Sequence, residues 1–257
     1  MTETEWLACT DPEPMLEFLR GRGGDRKLRL FAAACCRRIW SLLPDKRGRR
    51  AVEAVEAFAD GLAARGALGA AREAAMQARI AAPFAGAAWS AVAAAYEATA
   101  ADLRAGRRGP PVLIPAWAEA AGVAHHAAAA VGSEVADGPG AGSVPKQIAE
   151  DARDVAQASE ERRQADLLRC VFGNPLHPIM VDPACLAWHG GAIPNRARAV
   201  YEERDLPSGH FDPARLAVLA DALEEAGCTG ATLLDHLRGP GPHVRGCWVV
   251  DLILERQ

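Results

Sequence analysis

The chain has 257 residues, enough for one large domain or two smaller ones, each with its own hydrophobic core. Half of the residues are apolar but only 5% are aromatic, so alanine supplies much of the apolar share. A net charge of −4 gives no overall reason to expect a nucleic-acid or acidic-membrane partner. Alanine favours helices and lets their axes approach closely, so the composition predicts an all-α fold, either an Ala-rich helical bundle or an irregular helical array.

The first residues, MTETEWLACTDPEP, are acidic and lack the basic-then-apolar layout of a signal peptide. Seven cysteines, two of them adjacent at Cys35 and Cys36, do not form an even disulfide framework. We therefore expect a cytoplasmic protein. The uncharged stretch from Ile80 to Tyr96 has 17 residues. It is shorter than the roughly 20 residues needed to cross a bilayer, so we interpret it as a buried helix and expect no membrane partner.

Helix signals follow one another along the first 170 residues. Asp11 followed by Pro12 predicts a helix start, and Asp25 is expected to cap a second helix whose apolar residues recur at helical spacing. Two segments rich in Pro or Gly are interpreted as connectors, Arg107 to Pro115 and Asp137 to Pro145. The predicted helices cover residues 11–20, 25–43, 46–65, 67–82, 86–105, 116–132 and 146–170.

After Cys170 the helical periodicity of the sequence gives way to a segment rich in Pro and Gly. The segment VFGNPLHPIMVDPACLAWHGGAIP is rich in Pro and Gly and is interpreted as an extended, ordered loop. Helices are predicted near 195–204, from Asp212 to Gly227 and from Thr229 to Gly239, and the final run from Gly246 to Leu254 is predicted to be helical. These patterns predict an Ala-rich helical region over residues 1–170 and a smaller C-terminal helical unit over 171–257 that packs on it.

Both ends of the chain contain distinctive sequence segments. Near the start these are TEWLACTDPEPMLEFLRG and DRKLRLFAAACCRRIW, and later in the chain they are FGNPLHPI, LADALEEAGC and HLRGPGPHVRGCWVVDLIL. In these segments the chain resembles a family of uncharacterised bacterial proteins abundant in planctomycete genomes. That resemblance implies a bacterial source, but no reaction and no ligand.

The last thirty residues contain two Cys and two His, a valid ligand set for tetrahedral zinc: Cys228, His236, His243 and Cys247. Seven, six and three residues separate successive members, which is not the spacing of a known zinc finger. Zinc is thus the candidate cofactor. In the alternative, which we favour at this point, the cysteines are small buried residues and the histidines lie near helix ends.

A second His-containing group lies in the middle of a predicted helix. His125 and His126 precede the carboxylates Glu150, Asp151 and Asp154 of the next helix, and Glu119 precedes both histidines on their own helix. Helical bundles assemble metal sites from such residues, but no Glu-x-x-His pair is present. We interpret this group as a polar surface.

Positive charge is concentrated between Arg20 and Arg50. This segment contains eleven Lys or Arg and only two Asp, so its net charge is +9 and that of the remaining residues is −13. Pairing with acidic helices of the same chain is the arrangement we favour. An acidic protein surface and nucleic acid are the alternatives. The candidate binding residues are Arg26, Lys27, Arg37, Arg38, Arg47, Arg49 and Arg50.

No set of catalytic residues is evident. The chain lacks a Gly-rich phosphate loop, a nucleophile elbow and a zinc-protease helix motif. The leading hypothesis is therefore a non-enzymatic protein-interaction or regulatory module. A zinc-binding protein and a nucleic-acid-binding protein are the alternatives, and the sequence leaves the oligomeric state and the cellular process open.

Overall fold

The structure is a computed structural model that describes residues 1–81, 87–99, 116–137 and 146–256. Within these ranges it consists of helices and loops without a β-strand, and a single isolated bridge joins His210 to Val244. The all-α prediction is confirmed. The predicted connector from Arg107 to Pro115 lies outside the described residues, as do residues 138–145 of the second connector.

Thirteen α-helices lie in the described ranges. They are α1 Glu3–Ala8, α2 Pro12–Leu19, α3 Asp25–Arg38, α4 Lys46–Ala59, α5 Arg65–Ala81, α6 Ala87–Ala98, α7 Ala116–Asp137, α8 Lys146–Phe172, α9 Pro183–Ala187, α10 Ala192–Glu202, α11 Pro213–Glu225, α12 Ala231–Arg238 and α13 Trp248–Ile253. Short 3₁₀ turns occupy Trp40–Leu42 and Trp188–Gly190. None of the helices described is both long enough and apolar enough to span a membrane.

The chain divides into two compact units. The central unit is Cys9–Ala165, and the terminal unit combines Met1–Ala8 with Asp166–Gln257. The sequence placed the boundary five residues later and assigned the first residues to the Ala-rich region. The difference arises because α1, which the sequence did not predict, belongs with the end of the chain: Trp6 is fully buried and its Nε1 donates a hydrogen bond to the carbonyl of Gly173 at 2.9 Å.

Aspartates begin several helices. The carboxylates of Asp11, Asp45, Asp182 and Asp212 each accept a hydrogen bond from the backbone N–H two residues later, at 2.8–2.9 Å. Pro12 and Pro213 occupy first-turn positions, where a missing N–H costs little. The predicted starts at Asp11 and Asp212 are confirmed. Asp25 is instead the first residue of α3, and Gly24 precedes it without a side-chain cap.

The core of the central unit is built around α3, which packs against α4, α6 and α7. Its predicted apolar stripe is buried, and the helix is enclosed on nearly every side from Leu28 to Arg37. Alanines of α6 and α7 are also buried and permit close contact between these two helices. The small side chains therefore act as the composition predicts.

The core of the terminal unit is formed by α10 to α13. Ile193, Val200 and Tyr201 of α10 are buried, as are Val249 and Ile253 of α13. The predicted final helix is confirmed, although it is shorter than the apolar run. Because α13 begins at Trp248, Cys247 becomes its N-cap residue and is held inside this core.

Candidate metal centre

Four side chains of the terminal unit converge on one buried point. Cys170, His236, His243 and Cys247 each offer one ligand atom, and these four atoms all lie within 4.8 Å of one another. Three of them belong to the set recognised in the sequence. The fourth predicted ligand, Cys228, lies outside the group, and Cys170 completes it instead.

Cys170 reaches the group from the last turn of α8 and is only 2% exposed. In the sequence, 65 residues separate it from His236, so no short spacing connects the two. The only feature of the sequence that distinguishes Cys170 is its position immediately before the Pro- and Gly-rich segment. Cys228 follows the end of α11 and is half-buried. It lies close enough to Cys185 to help burial raise the pKa of the Cys185 thiol.

His243 lies in the loop between α12 and α13, and this loop fixes its ring. Its Nε2 lies 3.1 Å from the carbonyl oxygen of Gly239. Because that oxygen can only accept, Nε2 carries the hydrogen and Nδ1 is left with a lone pair. Nδ1 is buried, and besides Gly239 the imidazole interacts with the sulfur of Cys247. A ring N–H bonded to a carbonyl, with the other nitrogen free, is the usual arrangement of a metal-binding histidine.

Glycine is required within the same loop. Gly241 has a φ of +91°, and a Cβ there would lie 3.0 Å from the backbone nitrogen of His243 and 3.2 Å from its ring. Both features disfavour any other residue. The Gly-Pro-Gly-Pro sequence thus folds the chain tightly against the histidine that it presents.

His236 approaches the group from α12. Its Nε2 lies 3.3 Å from Sγ of Cys247, close to the ~3.5 Å that separates nitrogen and sulfur ligands in a zinc tetrahedron. The rings of His236 and His243 meet edge to face with centroids 4.8 Å apart. The indole of Trp248 also packs against His236, with ring centroids 5.4 Å apart. The histidines are therefore held by packing as well as by hydrogen bonds.

The surroundings of Cys247 favour a thiolate. The residue is fully buried, and burial opposes ionisation. Interactions of the sulfur with Cys170, His236 and His243 outweigh this effect and hold the pKa of the Cys247 thiol well below its usual range. The thiolate is the form of cysteine that binds metals.

Gly173 connects the end of α8 to its neighbours. Its φ is +64°, and a Cβ at this position would lie 2.9 Å from the indole of Trp248. Its carbonyl accepts the hydrogen bond from Trp6. Since Cys170 is three residues away, these contacts also set the position of its sulfur.

Most of the candidate basic residues form ion pairs or hydrogen bonds within the central unit. Arg37 makes a bidentate, buried pair with Glu56 at 2.5 and 2.7 Å. Arg38 makes a second bidentate pair with Glu160 at 2.6 and 2.8 Å. The remaining candidates pair or bond as follows: Arg26 with Asp60 at 3.0 Å, Arg47 with Asp45 at 2.6 Å, and Arg49 with the carbonyls of Leu43 and Trp40.

Lys27 is half-buried and Arg50 is exposed. The pattern favours the intramolecular arrangement, since most of the cationic groups that a polyanion would bind are engaged inside the unit.

The other histidine pair is arranged differently. His125 is exposed and His126 half-buried, and burial lowers the pKa of His126. The side chain of Glu119 lies outside the described residues. In the part of the chain that the structure describes, the Cys170 group is the only cluster of His, Cys or carboxylates arranged to hold a metal ion.

Comparison with known proteins found no matching family model, curated protein or solved structure.

Proposed function

We propose that the protein binds one zinc ion through Cys170, His236, His243 and Cys247, and that this ion stabilises the fold of the terminal unit. The observation that carries the proposal is the convergence of four ligand atoms within 4.8 Å. Two thiolates and two imidazoles form one of the common ligand sets of structural zinc. The buried Nδ1 of His243, on a ring that interacts with the sulfur of Cys247, supports the same assignment.

A structural role is favoured over a catalytic one. Four protein ligands fill a tetrahedron and leave no position for a water or substrate, as a hydrolytic zinc site requires. Cys170, His243 and Cys247 are at most 5% exposed, so a substrate has little access to them. The ion would cross-link the end of α8 to α12 and the start of α13, which lie much later in the sequence.

A structural zinc ion is consistent with a non-enzymatic interaction or regulatory module, which we retain as the biological role. All seven cysteines are free thiols in the structure. Free thiols and a zinc–thiolate centre both suit a reducing compartment, and a cytoplasmic location is part of this proposal.

Metal analysis of the purified protein tests the proposal. We expect one zinc per chain by elemental mass spectrometry, and loss of stoichiometric zinc in Cys170→Ser and Cys247→Ser. Cys228→Ser is the matched control, because it removes a cysteine that the sequence includes in the ligand set but that lies outside the cluster. It is expected to retain the metal.

Two results would overturn this assignment. If the wild-type protein, expressed with added zinc, contains no stoichiometric metal, the group is not a zinc site. If Cys228→Ser loses the metal while Cys170→Ser retains it, the ligand set is the one expected from sequence spacing.

A further inference from the structure

A cleft of about 290 Å³ lies within the central unit, and none of the Cys/His ligands lines it. It is bordered by the start of α2, the middle of α7 and the later part of α8. Its lining includes three carboxylates, a histidine and a buried amide: Asp11, Glu13, Glu161, His125 and Gln164. The size is near the lower end of small-molecule sites in proteins.

The amide of Gln164 contains a buried hydrogen-bond acceptor, Oε1, that has no donor among the described residues. The side chain is fully buried, and its Nε2 donates to the carbonyl of Ala124 at 3.1 Å. This bond fixes the amide orientation, because a reversed amide would set Oε1 against the carbonyl oxygen. Oε1 then has no partner among the described residues. A buried acceptor without a donor is unfavourable, and a donor bound in the cleft would satisfy it.

Two carboxylates of the cleft accept hydrogen bonds from neutral donors, and none of the three takes part in an ion pair among the described residues. Asp11 accepts a hydrogen bond from the backbone N–H of Glu13, and Glu161 accepts one from the amide of Gln157. These donors are neutral. No ion pair to Asp11, Glu13 or Glu161 occurs among the residues that the structure describes. The cleft therefore favours a cation over a neutral or anionic ligand.

The shape of the site favours an organic cation over a metal ion. The carboxylates and His125 are not among the groups in the described ranges that could coordinate a metal. Leu16, Ala121 and Ala124 add apolar surface to the lining. We propose that this cleft binds a small aliphatic amine, whose N–H groups bond to the carboxylates and to Oε1 of Gln164 and whose methylene groups contact Leu16.

Calorimetric titration of the full chain with 1,4-diaminobutane and spermidine tests this proposal. We expect at least one amine to bind with a dissociation constant of about 1 mM or tighter at low salt. The isosteric 1,4-butanediol and the dianion succinate are expected not to bind. The double variant Glu13→Gln/Glu161→Gln should weaken amine binding by about tenfold or more. Glu53→Gln, the same change at an exposed position of α4 outside the cleft, should leave it unchanged.

Gln164→Met tests the buried acceptor separately from the charge. It keeps the side-chain volume and should weaken amine binding; if this variant fails to fold, the double carboxylate variant still decides the question. The proposal is overturned if neither amine binds, if the double variant binds like the wild type, if Glu53→Gln loses binding equally, or if Mg²⁺ displaces the amine. None of these outcomes bears on the zinc site, whose ligands lie in the terminal unit.

Discussion

Gly173 is a single residue on which α1, α13 and the end of α8 depend. It ends α8, its carbonyl accepts the indole N–H of Trp6, and the indole of Trp248 covers the place of its missing side chain. Its positive φ is a conformation that other residues adopt at a cost of about 1–2 kcal/mol. The candidate ligand Cys170 therefore depends on a glycine three residues later.

We predict that Gly173→Ala lowers the free energy of unfolding by about 2 kcal/mol or more, since backbone strain adds to overlap with Trp248. It should also weaken zinc binding by about tenfold, as other changes beside metal ligands do. Denaturant unfolding and competition with a chelator measure the two effects. Gly66→Ala in α5 is the control, because a Cβ there meets open space. Equal effects in both variants would contradict this explanation.

The cysteines are predicted to differ sharply in reactivity. Burial raises the pKa of Cys36 to about 12 and that of Cys35 well above its usual value, so both remain protonated at neutral pH. We expect iodoacetamide to label the half-buried Cys9 and Cys228 first. Peptide mass spectrometry should show Cys170 and Cys247 protected while zinc is bound and labelled after its removal. Labelling of those two as fast as Cys9 in the zinc-loaded protein would refute the prediction.

At the scale of elements, α3 carries arginines into the interior of the central unit. The side chains of Arg37 and Glu56 are only 4% and 5% exposed, and their bidentate pair joins α3 to α4. Arg38 joins the same helix to α8 through Glu160. Part of the positive charge between Arg20 and Arg50 therefore serves to join α3 to its neighbouring helices.

Removing one partner of the buried pair should be costly, because the other charge then stays buried without compensation. We predict that Glu56→Ala lowers the free energy of unfolding by about 3–5 kcal/mol. Glu17→Ala, which breaks the exposed pair with Arg20, should cost at most about 1 kcal/mol. Denaturant unfolding of the two variants provides the comparison, and losses of similar size would contradict a special role for the buried pair.

Local features of the fold could be predicted from the sequence, whereas long-range ones could not. Asp11 and Asp212 cap helices through bonds that span two residues, so their roles are visible in the sequence. The six residues of α1 are too few to show a periodic pattern, and their burial depends on a contact 167 residues away. His236, His243 and Cys247 can be recognised from the sequence because they lie close together in it, between α12 and the start of α13.

Cys228 entered the predicted ligand set because it is near the other members in the sequence. Cys170 was missed because only the packing of α8 brings it to them. Sequence spacing thus identified the kind of site and three of its residues, but the fourth required the tertiary structure.

At the scale of the whole molecule, the proposed ion belongs to one of two compact units. Structural zinc contributes directly to folding free energy, and its ligands must be deprotonated to bind it. We predict that a chelator speeds amide hydrogen exchange in α12 and α13, and that α3 and α4 in the central unit stay protected. Exchange that is unchanged throughout would show that the terminal unit does not need a metal.

X-ray absorption at the zinc edge of the Cys228→Ser variant tests the central claim most directly. This variant lacks the cysteine that lies outside the cluster and keeps all four residues that converge in the structure. We predict a four-coordinate zinc with two sulfur ligands at about 2.3 Å and two nitrogen ligands at about 2.0–2.1 Å. A spectrum with a single sulfur ligand, or a variant that holds no zinc, would contradict the assignment of Cys170, His236, His243 and Cys247.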